Sequence, residues 1–321
     1  MTRDALEHNQ IPFYFVAILL AAACGVFAPL VAHGLSALIT PAIAVLMYAM
    51  FLQIPFLDLR QGLGNIRFVS ALLLANFVLV PLLVWALTRG LLGHPALLVG
   101  ALLVLLTPCI DYVVVFTHIG KGDSRLMLAA TPLLLLLQLA LLPVYLGFML
   151  GAHSGVVVEI GPFIEAFLLL IVVPMLLAVL TAYLARRSRL VDKWSSAWAW
   201  LPVPAMALVL FVVIGSQITS VMRDFDLLLP VLAIYLGFVL LAPLMGILAA
   251  RLFALPAPSA RAVTFSASTR NSLVVLPLAL ALPEDMRGLA AAAVILQTLV
   301  ELVAELVYVR LIPAVVWPAS R

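Results

Sequence analysis

Two apolar segments of this 321-residue chain are interrupted by polar side chains that could bind a small solute. The first interruption covers residues 107–112, Thr-Pro-Cys-Ile-Asp-Tyr, and the second covers residues 266–272, Ser-Ala-Ser-Thr-Arg-Asn-Ser. Proline removes a helix donor, while Ser, Thr and Asn offer the backbone competing hydrogen bonds. Unwound backbone at membrane depth is stable only where it is buried in protein or lines a cavity. We therefore predict two paired helix breaks around a solute site, with Pro108 as the structural break of the first.

These interruptions supply the candidate substrate-binding side chains. They are Thr107, Cys109, Asp111, Ser268, Arg270 and Asn271. Asp111 and Arg270 carry opposite charges, and an unpaired charge at the bilayer centre costs at least about 3 kcal/mol, so each should find the other or a ligand. One hypothesis is a salt bridge that substrate or protons disturb during transport. The alternative is a static pair that only fixes the two breaks against each other.

The last apolar segment carries a row of three polar side chains. Gln297, Glu301 and Glu305 follow one another at intervals of four, so they share one helical face. Charged residues in a membrane face the protein interior, where carboxyl groups serve as proton relays. Glu301 and Asp111 are the candidates for proton coupling, and the alternative for Glu301 is a hydrogen bond between helices. Glu305 lies nearer the cytoplasm, where Arg310 could neutralise it.

The elements that position these residues are membrane-spanning helices. Hydrophobic residues make up 66% of the chain and charged residues only 10%, against about a quarter charged in soluble domains. Several uncharged stretches reach the roughly 20 residues that cross a hydrocarbon core. The fold class is therefore an all-α polytopic membrane protein in contact with lipid. We predict ten spans, at residues 11–31, 35–55, 67–89, 95–118, 125–150, 160–185, 194–217, 227–251, 258–282 and 287–313.

The basic residues orient these spans. With ten spans both termini share one side, and that side collects thirteen Lys and Arg residues against three on the other. The positive-inside rule then makes both termini cytoplasmic, in a plasma (inner) membrane protein. The thirteen are Arg3, Arg60, Arg67, Lys121, Arg125, Arg186, Arg187, Arg189, Lys193, Arg251, Arg261, Arg310 and Arg321, and the three are Arg89, Arg223 and Arg287.

The order of the spans predicts a single transmembrane domain, residues 1–321, built from two repeats at about 10–152 and 158–315. Because each repeat has five spans, the second must be inverted relative to the first. Inverted-repeat transporters bind their cargo at the midplane, between broken helices at corresponding positions. The two interruptions fall in the fourth span of each half, spans four and nine, which agrees with this plan.

Other classes of function are disfavoured by the sequence. No His-Glu-x-x-His, Gly-x-Ser-x-Gly or nucleotide-binding glycine loop is present, so we expect neither an enzyme nor an ATP-driven pump. The five histidines show no metal-ligand spacing, and we expect no metal site and no cofactor. The net charge of +3 is distributed by topology, which argues against nucleic acid as a partner. A passive channel is a further alternative, but channels usually assemble repeated subunits around a pore.

The motifs resemble the bile acid/sodium symporter superfamily, and most closely its arsenite-efflux permease branch. The resemblance covers essentially the whole chain. The residues that carry it are Thr107-Pro108-Cys109, residues 112–117, the exit Gly120-Lys121-Gly122-Asp123, Ser266-Ala-Ser268 and residues 298–301. It implies a core of spans three to five and eight to ten that moves against a panel of the remaining spans. For the efflux branch it implies export of arsenite or antimonite in exchange for protons.

Cys109 suits this cargo, because a thiolate is the soft ligand that a thiophilic centre prefers. The alternative is that Cys109 is a small buried apolar residue, and Cys24, which lies outside any break, is expected to serve only in packing.

Two residues depart from the branch pattern. Leu273 stands where the efflux branch has an acidic residue, and Arg270 aligns with a position that holds sodium in the sodium-coupled branch. A guanidinium there would repel sodium, so we expect sodium-independent transport, with Asp111 in the titrating role. The expected function is proton-coupled secondary export of arsenite and antimonite. The alternative is transport of a small organic anion whose carboxylate is bound by Arg270.

Overall fold

The computed structural model describes residues 10–28, 31, 34–54, 64–110, 112–150, 165, 168–223 and 225–316. In chain order the helices are α1 (Gln10–Phe27), α2 (Ile39–Phe51), α3 (Ile66–Leu74), α4 (Val80–Leu87), α5 (Pro95–Leu105), α6 (Tyr112–Ile119), α7 (Ser124–Leu150), α8 (Val173–Ala185), α9 (Arg189–Trp198), α10 (Pro202–Arg223), α11 (Phe225–Leu252), α12 (Ala257–Ser268), α13 (Ser272–Leu280) and α14 (Glu284–Leu311). Short π-helical segments, Ala75–Leu79, Leu168–Val172 and Ile312–Val316, adjoin α3, α8 and α14.

The described helices have the length and apolarity of a membrane protein. Four of them could each cross a bilayer: Ile66–Leu91, Ser124–Leu150, Asp226–Leu252 and Met286–Ala314. The pair α9 and α10, bent by 46°, would form a fifth span, and shorter apolar helices lie in predicted spans one, two, four and six. The all-α membrane fold is confirmed. The number of ten crossings and the inverted repeat stay predictions.

The chain divides into two compact units. One unit comprises Met1–Leu57 with Glu159–Asp226, and the other comprises Asp58–Val158 with Leu227–Arg321. The first contains predicted spans one, two, six and seven, and the second contains spans three to five and eight to ten. This is the division into panel and core that the family resemblance implies.

The first unit is built around α10, which packs against α1 and α2. Its polar contacts gather at Tyr48, whose hydroxyl lies 2.9 Å from Thr181 Oγ1 and accepts a hydrogen bond from Trp194 Nε1 at 3.2 Å. The Trp198 ring packs edge-on against the same tyrosine.

The second unit holds both predicted helix breaks. The long helix α14 packs against α5 and α13, and α12 packs against α3, α6 and α7. Glycines allow the closest approaches: a Cβ on Gly100 of α5 would lie 2.6 Å from the carbonyl oxygen of Ala290 in α14. The half-helices on either side of each break are therefore held by neighbours within the same unit.

Candidate functional site

The first helix break follows α5. The Thr107 hydroxyl lies 3.0 Å from the Leu103 carbonyl and 3.1 Å from the Val104 carbonyl, the carbonyls of the last helical turn. Pro108 has no N–H to continue the ladder. Helix resumes with α6 at Tyr112. The interruption predicted at residues 107–112 therefore occurs where Pro108 and the competing hydroxyl require it.

The second break is shorter than predicted. The sequence indicated unwinding from Ser266, but α12 continues to Ser268. Ser268 is still helical, and its hydroxyl donates to the Thr264 carbonyl one turn earlier, at 2.8 Å. Asn271 caps the next helix, since its Oδ1 accepts the backbone N–H of Val274 at 3.2 Å. Only residues 269–271 interrupt the helix.

The two breaks pair with each other through the backbone. The Cys109 N–H donates to the Thr269 carbonyl at 3.1 Å, and the Asn271 N–H donates to the Thr107 carbonyl at 2.8 Å. Pro108 and Arg270 stand opposite each other in this short antiparallel bridge. Each break thus supplies hydrogen-bond partners that the other lost, which is what buried backbone at membrane depth requires. We call residues 107–109 with 269–271 the crossing.

The crossing is buried and brings together four of the predicted substrate-binding residues, Thr107, Cys109, Arg270 and Asn271, with Ser268 directly before it at the end of α12. Thr107, Ser268 and Asn271 are at most 2% exposed, and the Cys109 side chain is a fully buried thiol. Asp111 lies outside the described residues, so its pairing with Arg270 stays a prediction.

Arg270 is the central charge of the crossing, and its side chain is 0% exposed. Its Nη2 donates to Asn76 Oδ1 at 2.7 Å and to the Ser266 carbonyl at 2.6 Å. The Phe238 ring centroid lies 5.7 Å from Cζ, within cation–π range. Nε and Nη1 are buried and have no hydrogen-bond partner among the described residues. Nη2 is therefore fixed by protein, and the predicted partner of the remaining donors is Asp111 or a ligand.

Asn76 was missed by the sequence analysis. It lies in the π-helical segment Ala75–Leu79, and π-bulges are frequent at functional sites. Its Nδ2 donates to Ser266 Oγ at 2.9 Å and to the Leu72 carbonyl at 3.1 Å. This leaves Oδ1 to accept from Arg270. The signal in the sequence was an asparagine amide in the middle of the apolar third span.

Glu301 contacts the crossing directly. Its Oε2 accepts the backbone N–H of Arg270 at 2.8 Å and also the Gln297 amide, while the Tyr112 hydroxyl lies 2.6 Å from Oε1. The same hydroxyl lies 2.9 Å from the Arg270 carbonyl. Glu301, on α14, therefore joins α6 to the second break. The predicted inward orientation of Glu301 is confirmed, and its proton-coupling role stays a prediction.

Glu305 also contacts the crossing. Its side chain is 0% exposed, and its Oε1 lies 2.7 Å from the Thr269 hydroxyl. Sequence reasoning assigned this residue to a neutralising contact with Arg310 and did not identify Thr269 as its neighbour. Glu301 and Glu305 thus both contact residues of the second break.

The exit from the first break has a structural role. The Asp123 carboxylate accepts the Leu126 N–H at 3.1 Å and caps α7. Gly120 is required because a Cβ there would lie 2.2 Å from the Phe265 ring. Within the part of the chain that the structure describes, no three His, Cys, Asp or Glu side chains come together in the manner of a metal site.

Comparison with known proteins supports the transport assignment. The model of the sodium bile acid symporter family matches residues 40–224, more than half of the chain. This range contains the first break and ends before the second. No curated protein matches the chain.

Proposed function

Because the chain belongs to the sodium bile acid symporter family, a family of membrane transporters, we propose that it is a secondary active transporter whose cargo binds at the crossing. Midplane sites between broken helices are the common plan of inverted-repeat carriers. The cargo that the site favours is a small organic anion. The observation that carries this assignment is Arg270, a fully buried guanidinium with two donor nitrogens that no described residue occupies.

The chemistry of Arg270 fits a carboxylate. Nε and Nη1 can each donate a charge-assisted hydrogen bond to a carboxylate oxygen, and such bonds are about twice as strong as neutral ones. Asn76 and Ser266 both accept from Nη2, so the guanidinium is held in place before cargo arrives. Because Arg270 is fully buried in this structure, cargo reaches it only in a more open state of an alternating-access cycle.

The same contacts support sodium independence. Asn76 Oδ1 and the Ser266 carbonyl are oxygen ligands of the kind that a sodium ion requires, and both already accept from the guanidinium. Arg270 then provides permanently the positive charge that a bound cation would bring. The coupling ion is the proton, with Glu301 as one proton-handling group and Asp111 as the second.

Arsenite or antimonite is the second candidate cargo, and Cys109 is the observation that favours it. The thiol is fully buried within the crossing, and the Cys109 N–H donates to the carbonyl of Thr269, the residue before Arg270. A soft thiophilic centre prefers such a ligand. Neutral metalloid hydroxides, however, make no use of the fixed guanidinium charge, which is why the anion is preferred.

The two cargoes are separated by uptake into proteoliposomes. Purified protein would be tested with radiolabelled cholate, pyruvate, arsenite and antimonite, under imposed proton gradients, in sodium and in choline buffers. We expect carboxylate uptake that is driven by the proton gradient and unaffected by replacing sodium with choline. Uptake of the metalloids alone would support the second candidate, and strict sodium dependence would contradict the role given to Arg270.

A further inference from the structure

The Thr269 hydroxyl has two oxygen neighbours and only one hydrogen. Its Oγ1 lies 2.7 Å from the Phe265 carbonyl and 2.7 Å from Glu305 Oε1, both within normal hydrogen-bond range. The carbonyl can only accept, and an ionised carboxylate can only accept. If Thr269 donates to Phe265, the contact with Glu305 is a hydrogen bond only when the carboxyl group carries a proton.

The surroundings of Glu305 favour the same proton. The side chain is fully buried, and its Oε2 has no hydrogen-bond partner among the described residues. An ionised carboxylate in this position would share one hydroxyl hydrogen and leave a second anionic oxygen unsatisfied. Burial of a charge without such partners costs several kcal/mol. A neutral carboxylic acid that donates from Oε1 leaves only a carbonyl oxygen unpaired, which costs far less.

The charged and titratable neighbours of Glu305 do not supply a countercharge to it directly. On its own helix it interacts electrostatically with Glu301 and Tyr308. In the second break, Thr269 faces Glu305. The nearby Arg270 donates its described hydrogen bonds to Asn76, Ser266 and Glu301. Tyr112, at the start of α6, and Cys109, in the first break, lie near Arg270. Adding a negative charge at Glu305 would therefore place it beside a second carboxyl group.

We infer that Glu305 is a proton-binding site of the transporter and that Thr269 links its protonation to the crossing. In the protonated state Glu305 donates to Thr269 Oγ1, and Thr269 donates to the Phe265 carbonyl at the end of α12. When the proton leaves, the Thr269 hydrogen turns to the carboxylate and the Phe265 carbonyl keeps only the Thr269 backbone N–H, at 3.0 Å. The proton is released to the aqueous phase when the site opens.

This switch acts on the backbone that holds the two breaks together. Thr269 is the residue whose carbonyl accepts the Cys109 N–H at 3.1 Å. Loss or gain of the Glu305 proton therefore changes the hydrogen bonding of a residue that is itself part of the crossing. The inference deepens the proposed function, since it assigns a coupling site to that transporter, but the protonation state can be measured without any cargo.

Infrared difference spectroscopy of the purified, reconstituted protein provides the test. We expect a protonated-carboxyl C=O band at neutral pH that disappears in Glu305→Gln and shifts in Thr269→Val, in which the accepting hydroxyl is gone. Glu165→Gln removes an exposed carboxyl group and serves as the matched control, with no effect on that band. A spectrum in which the band is absent from the wild type, or is unchanged in both Glu305→Gln and Thr269→Val, overturns the inference.

A transport measurement tests whether the proton on Glu305 is coupled to movement of the cargo. We expect the ratio of cargo accumulation with and without a pH gradient to fall to unity in Glu305→Gln. A ratio equal to that of the wild type overturns the coupling role of Glu305. If the carboxyl band behaves as expected and no tested cargo is transported, the proposed function fails while the proton site stands.

Discussion

The guanidinium of Arg270 donates through Nη2 to Oδ1 of Asn76 at 2.7 Å, and this bond joins the π-helical segment of the third span to the second helix break. Asn76 is oriented for this role by its own amide, which donates to Ser266 Oγ and the Leu72 carbonyl. A neutral acceptor leaves the charge of Arg270 uncompensated on this side. The negative charge must then come from elsewhere, either from Asp111, as the sequence predicts, or from the proposed anionic cargo.

Replacing Asn76 with aspartate supplies that charge from the protein. In Asn76→Asp the new carboxylate pairs with Arg270 and competes with an anionic cargo, and we expect affinity for a carboxylate to fall about tenfold or more, the value of a charge-assisted hydrogen bond. Binding of arsenite should be little affected. Asn65→Asp is the control, because Asn65 caps α3 through a side-chain oxygen that aspartate retains. Equal carboxylate affinity in the two variants would contradict the anion site.

The Tyr112 contact with Glu301 predicts a loss of stability when its hydroxyl is removed. Tyr112→Phe leaves a buried carboxylate without one of its partners, and we expect the free energy of unfolding to fall by about 1–3 kcal/mol. Thermal unfolding in detergent, with Tyr183→Phe at an exposed position of the other unit as the control, measures the effect. In a double-mutant cycle Tyr112→Phe and Glu301→Gln should be non-additive, whereas additive losses would show that the two side chains do not interact.

The thiol of Cys109 distinguishes the two cargoes. Cys109→Ser retains the size and polarity of the site but removes the soft ligand, so uptake of arsenite should fall about tenfold or more if a sulfur bond is worth at least 1.4 kcal/mol. Cholate uptake should change far less. Cys24→Ser, in the other unit, is the matched control. If arsenite uptake is unchanged in Cys109→Ser, as it should be in Cys24→Ser, the thiol does not bind arsenite and the argument for a metalloid cargo fails.

Close packing of α5 on α14 predicts a position-specific cost of adding one methyl group. A Cβ on Gly100 would lie 2.6 Å from the Ala290 carbonyl oxygen, so Gly100→Ala must separate the two helices. We expect destabilisation of about 1–3 kcal/mol, as for other overpacked cores. In Gly147→Ala the new Cβ meets no atom within 4 Å, and this helix position should gain stability by about 0.5–1 kcal/mol. Similar melting temperatures for the two variants would contradict the close approach.

The sequence allowed the position of both breaks to be predicted, because clustered polar residues are too costly in a lipid-facing helix. Proline alone is no such signal, since Pro132 and Pro143 lie inside α7. The length of the second break was wrong. Ser268 and Thr269 each bond through the hydroxyl to a carbonyl one turn earlier, yet only Ser268 is helical. Polar composition therefore indicates burial in protein and does not determine the residue at which unwinding begins.

The partners of the charged residues could not be predicted in the same way. Arg270 and Glu301 stood out as charges within apolar spans, but their contacts with Asn76 and Tyr112 join residues separated by more than 180 positions. Such pairs depend on how three helices pack, which periodicity does not encode. Glu305 was assigned to Arg310 because neighbours along one helix are visible in sequence, whereas Thr269 is not.

Equilibrium binding of cholate to the purified protein, measured by isothermal titration calorimetry for the wild type, Arg270→Lys and Arg270→Gln, tests the anion site most directly. We predict saturable binding to the wild type in sodium-free buffer, weaker binding to Arg270→Lys, which keeps a charge without the planar fork, and no detectable binding to Arg270→Gln. Thermal unfolding of each variant would establish that it is folded. Wild-type affinity in a folded Arg270→Gln variant would contradict the account.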